Sequence, residues 1–83
     1  MTPQDVKTRI KEAYGLDVSA SIDDFEGQKK VEIHNPITNI ATFQLYTEQM
    51  IAQNNPEVIN YVAWDLYWMH KKFTDAQAAS YVV

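Results

Sequence analysis

The chain has no cysteine, only two glycines and only three prolines in 83 residues. Without cysteine there is no disulfide scaffold and no thiolate zinc or iron–sulfur site. With Gly15 and Gly27 as the sole glycines, a GxSxG elbow, a P-loop and a GxGxxG turn are all impossible. So little Gly and Pro also excludes fibrous repeats and compositional disorder. Cations are missing from a long middle stretch, since no Lys or Arg lies between Lys30 and Lys71. Such a stretch does not track a phosphate backbone, and direct nucleic-acid binding is not expected. No apolar run approaches the roughly 20 residues of a membrane span. The N-terminus, Met1-Thr2-Pro3-Gln4-Asp5, lacks the basic-then-apolar pattern of a signal peptide. The expected compartment is the cytoplasm, a host's cytoplasm if the chain is phage-encoded.

Metal chemistry has little to work with. Taking Gly27 as the sixth position of a calcium loop puts Ile22 first and Ile33 last, where acids are required. His34 and His70 have no ligand-spaced partners. The helix dipole accounts for His70 near a helix C-terminus, and His34 reads as a strand surface residue. Ser19, Ser21 and Ser80 have no His near them in sequence. No catalytic residue, metal or cofactor is expected.

What is present is a single domain over residues 1–83, with 46% hydrophobic residues and a formal charge of −4. The charge is unevenly placed. Residues 1–11 hold Lys7, Arg9 and Lys11 against Asp5, whereas residues 12–70 hold nine acids against Lys29 and Lys30 alone. Four of those acids, Asp17, Asp23, Asp24 and Glu26, fall close together in sequence. They read either as a solvated surface or as an acidic face for a basic groove on a partner, including a nucleic-acid-binding enzyme.

Local patterning predicts an α+β fold. Thr2 can cap a helix, Pro3 suits its first position, and Val6, Ile10, Ala13 and Tyr14 make one apolar face up to a left-handed stop at Gly15. The period then drops to two. Leu16, Val18, Ala20 and Ile22 alternate with polar residues, a turn follows at Asp24–Gln28, and Val31 and Ile33 alternate again. Ala41, Phe43 and Leu45 alternate with Thr42, Gln44 and Tyr46, which favours a third strand over a helix from Thr38. Glu48–Gln53 reads as a short helix. Asn55-Pro56-Glu57 starts a long one expected to run to about Lys72, and Thr74-Asp75-Ala76-Gln77 has the form of a capping box for a last helix over 75–80. The simplest assembly is an N-terminal helix, a three-stranded antiparallel meander, then short and long C-terminal helices, all packed on one sheet face. The order αβββα resembles that of double-stranded-RNA-binding domains in topology. Those domains grip phosphates with lysines at the start of the last helix, where this chain has Asn55-Pro56-Glu57.

The long helix carries the sharpest signal. Ile59, Val62, Leu66, Met69 and Phe73, widened by Val58 and Ala63, form one stripe expected to lie on the sheet. Tyr61, Trp64 and Trp68 form a second stripe nearly opposite. A helix apolar on two faces is either buried twice or presents one face to a partner. The first reading packs the three rings under the N-terminal helix or the C-terminal tail. The second makes them the anchor of an interface, homodimerisation included. The expected function is non-catalytic protein binding through the acidic face, as in small inhibitors or accessory proteins of phage and mobile elements that block a host enzyme or defence complex. The alternative is a small homo-oligomeric assembly subunit joined through the Tyr61/Trp64/Trp68 stripe.

Overall fold

A computed structural model describes the backbone of residues 1–82 and the side chains of residues 1–76. The chain runs α1 (Pro3–Tyr14), β1 (Ser19–Phe25), β2 (Gln28–Asn35), β3 (Ile40–Tyr46), α2 (Glu48–Ala52) and α3 (Pro56–Val82). The three strands form one antiparallel sheet in the order β1-β2-β3. The α+β architecture is the one the sequence predicts.

α1 begins with a complete capping box. Thr2 Oγ1 accepts from Asp5 N–H at 3.1 Å, and Asp5 Oδ2 accepts from Thr2 N–H at 2.7 Å. Two orphan donors of the first turn are thereby satisfied. Donation from the Thr2 backbone N–H, above all, favours the charged form and holds the Asp5 carboxyl below its ordinary pKa. Gly15 closes the helix in the left-handed region at φ 71°, and its N–H donates to Lys11 O.

The first strand is displaced toward the hairpin turn from its expected position. β1 starts at Ser19 rather than Leu16 and continues through Asp23 and Asp24, which stand opposite Lys30 and Lys29 on β2. Opposite charges across the ladder extend the hairpin to a two-residue loop. Glu26 and Gly27 there have φ of 49° and 78°, as a type I′ turn requires at both central positions. The turn between β2 and β3 depends on Asn35. Its Oδ1 accepts from the backbone N–H of Ile37 at 3.0 Å and of Thr38 at 3.4 Å.

Residues 40–46 form a strand, yet its inner face is not the one hydropathy alone suggests. Ile40, Thr42 and Tyr46 are buried, whereas Ala41 and Phe43 are exposed. The register decides this. Thr42 lies beside the buried Ile33, and Phe43 lies beside Glu32 on the outer face. A single-residue shift in phase exchanges the two faces of a strand.

α1 lies over β1 and α3 over β3, side by side on one face of the sheet. Val6 and Ile10 of α1, Val31 and Ile33 of β2, and Val62, Ala63 and Leu66 of α3 meet in one core with Val18, Tyr46 and Ile51. Tyr14 stacks on Tyr67 with ring centroids 3.9 Å apart, which joins the two long helices. Ala13, expected on the apolar face of α1, is exposed.

Three expectations for the C-terminal third are corrected. First, α3 does not end near Lys72, and no separate helix spans 75–80, because the helix is continuous from Pro56 to Val82. Thr74 does not cap a new helix; its Oγ1 donates to His70 O, four residues back, at 3.0 Å. Second, His70 therefore sits within a helix rather than at its C-terminus, and it is 4% exposed. Third, Phe73 does not lie on the sheet but is 59% exposed. The turn end of the sheet, marked by Asn35, is reached at His70. The expected apolar ending Tyr81-Val82-Val83 lies outside the residues whose side chains are described.

Candidate functional site

The outer side of α3 is where the structure gathers sequence-predicted residues. Tyr61, Trp64 and Trp68 are 50%, 51% and 41% exposed. Packing under α1 is therefore not their environment. Their spacing puts them on the side of α3 opposite Val62, Ala63, Leu66 and His70, the buried side. Tyr61 and Trp64 rings lie 6.4 Å apart. Trp68 meets the edge of Tyr67 at 5.4 Å, and Tyr67 in turn stacks on Tyr14. The exposed indole of Trp68 is thus braced on one side by the ring pair that joins α1 to α3.

The acidic residues are not gathered in the same way. Asp17 precedes β1 and makes a 2.9 Å ion pair with Lys11. Asp23 and Asp24 are at the other end of β1, about 20 Å away at 3.3 Å per strand residue. They point to opposite sheet faces, and Asp24 pairs with Lys29. This contact with Asp24 raises the Lys29 pKa. Glu26 occupies the turn. Asp23 and Glu26 make no ion pair among the described residues. Asp17 and Asp24 have their charge partly offset by an adjacent lysine.

Beneath α3 is a polar layer that sequence reasoning missed. Asn35, Thr42 and His70 are the buried polar residues among those described. Asn35 Nδ2 lies 3.5 Å from His70 Nε2, and Thr42 Oγ1 lies 3.5 Å from His70 Nδ1. Burial lowers the His70 pKa, because its charged form would be desolvated. The available signal was positional, since His70 follows Leu66 by four residues on the inward side of the helix. A neighbouring tie joins Tyr46 and Asp65, with the phenol donating to Oδ2 at 2.7 Å. Burial first, then the Asp65 carboxylate, push the Tyr46 pKa far above the ordinary phenol range.

An open groove of about 400 Å³ runs between α1 and α3, lined by Asp5, Thr8, Arg9, Glu12, Pro56 and Asn60 among others. At Asn60, next to Tyr61 and one turn before Trp64, it borders the aromatic side of α3. His34 is half-buried on β2, where its Nε2 lies 2.9 Å from Asn39 Oδ1. Among the described residues, no three His, Asp or Glu side chains come together to hold a metal ion. No helix among them is long and apolar enough to cross a membrane. Comparison with protein-family models, with curated proteins and with solved structures finds no match to this chain.

Proposed function

We propose that this chain is a non-catalytic protein-binding module that works by contact, as a small inhibitor or accessory protein does. The observation that carries this reading is the exposure of Tyr61, Trp64 and Trp68 together on one side of α3. Tyr and Trp supply a large share of binding energy at protein interfaces, and rings that leave this much apolar area in water gain by being covered. The partner chemistry that fits is an apolar groove on another protein. A basic rim on that partner, as on a nucleic-acid-binding enzyme, would find Asp23 and Glu26 available, with Asp17 and Asp24 already beside lysines. The acidic residues are therefore secondary to the rings.

One observation favours a second copy as the alternative occupant. Glu57 stands near the start of α3 on the same side, and Lys71 and Lys72 lie about four turns further along it. An antiparallel second α3 would set acid against base.

The test is affinity capture from the native host with three baits. The wild-type chain is expected to retain a stoichiometric partner. Trp64→Ser with Trp68→Ser should lose it while keeping the wild-type circular dichroism spectrum. Asp23→Lys with Asp24→Lys should weaken it less, and mainly at low salt. Retention of the same partner by the folded tryptophan variant overturns the reading.

A further inference from the structure

We propose that β3 is a self-pairing edge, through which two copies of this chain join their sheets into one of six strands. The inference is independent of what the aromatic side of α3 binds.

β3 ends the sheet, since the strand order is β1-β2-β3. Its seven residues, Ile-Ala-Thr-Phe-Gln-Leu-Tyr, contain no charge and no proline. Edge strands are normally protected against pairing by charges, prolines, bulges or shortness. The opposite edge follows that rule, because β1 carries Asp23 and Asp24. β3 does not, and its pairing with β2 is unbroken from Ile40 to Tyr46, without a bulge.

The direction of the free amides supports the same conclusion. Leu45 N–H donates to the side chain of its neighbour, Gln44 Oε1, at 3.3 Å. That amide therefore points away from β2. Backbone direction alternates along an antiparallel strand, so the amides of Phe43 and Ala41 point outward with it.

The occupant is a second copy because the strand is complementary to itself. An antiparallel pairing with its two-fold axis at Phe43 sets Ala41 of one copy beside Leu45 of the other. Thr42 then falls beside Gln44, and Ile40 beside Tyr46. No charge meets a like charge anywhere in this register. The two Phe43 rings, each 50% exposed in the single chain, become cross-strand neighbours on the outer face. A Lys30 ammonium lies 4.6 Å over each ring and would flank the pair. The outward phase of Phe43 and Leu45, which the core of one chain does not use, has a purpose in this assembly.

The experiment is the mass in solution by light scattering across a concentration series. The wild-type chain is expected to reach twice its 9.6 kDa. Phe43→Lys should remain folded, since the new lysine faces Glu32 across β2. It should weaken association by at least a hundredfold by placing two lysines together at the axis. Trp64→Ser with Trp68→Ser should leave the dimer intact. A wild-type chain that is monomeric up to about 1 mM overturns the proposal. So does a Phe43→Lys dimer, or a dimer lost only in the tryptophan variant. If Phe43→Lys does not fold, amide exchange of the wild-type chain decides. Protection of Ala41, Phe43 and Leu45 that rises with concentration upholds β3 pairing, and concentration-independent exchange there refutes it.

Discussion

The two sides of α3 make different use of similar apolar content. The inner side places Val62, Ala63 and Leu66 against the sheet and α1, all essentially unexposed, and follows them with a buried histidine held by Asn35 and Thr42. The outer side carries three larger rings, and none is more than about 60% covered. The inner side is built from aliphatic residues that fill space without polar atoms to satisfy. The outer side is built from Tyr and Trp, whose polar tips tolerate water while their ring faces do not. Residue choice, more than hydrophobicity, separates the side that stabilises the fold from the side that offers contact.

Truncating the inner side should have the largest effect. Leu66→Ala is expected to lower stability by about 3 kcal/mol, within the usual 2–5 kcal/mol for a buried leucine, measured by urea unfolding. Tyr46→Phe comes next. It leaves the half-buried Asp65 carboxylate without its donor and should cost about 1–2 kcal/mol, read in the same way.

The pH dependence of the inner side has a definite sign. The folded chain resists protonating His70, whereas the unfolded chain takes a proton near the ordinary value of 6.5. The unfolded state therefore binds more protons below that pH, and stability falls as pH drops through about 6.5. The His70 contribution is complete above that point. The groups facing the ring, Asn35 and Thr42, are neutral, while Lys71 and Asp75 line the groove beside it. Comparing urea midpoints at pH 7.5 and 5.5, His70→Gln should show a smaller difference than wild type. An unchanged difference would show that the imidazole is as free to protonate when folded as when unfolded.

The outer side should matter least to stability. Trp64→Ser with Trp68→Ser is expected to stay within about 1 kcal/mol of wild type, as surface substitutions do. A loss comparable to that of Leu66→Ala would collapse the contrast between the two sides.

Much of the fold was legible in local chemistry. Thr2, Pro3 and Gly15 bracket α1 as capping rules require, and Gly27 marks the first hairpin. The start of α3 was equally plain, since Asn55 Oδ1 accepts from Glu57 N–H at 2.9 Å and Pro56 has no N–H that needs an acceptor. What could not be read locally was set by register and by stopping rules. Alternation identified β3 without revealing its phase, because Thr42 and Tyr46 are amphipathic enough to serve as inner residues. A cap-like Thr74 did not stop α3, for no Gly or Pro follows Pro56 and the hydroxyl bonds to its own helix. Of the proposed site, the Tyr61/Trp64/Trp68 grouping was visible from spacing alone. Its exposure was not, since that depends on where α1 packs. The scatter of the four acids was equally hidden, because nearness in sequence along a strand is distance in space.

The Tyr14–Tyr67 stack bears on how the chain folds. Both hairpins join neighbours in sequence, whereas this stack brings together helices from opposite ends of the chain and must wait for a long loop to close. Docking of α1 onto α3 is then expected as a late event. Tyr14→Ala should accelerate unfolding in denaturant-jump kinetics while leaving the refolding rate nearly unchanged. The ring pair that braces Trp68 would thus act as a latch, governing how long the folded molecule lasts rather than how fast it forms.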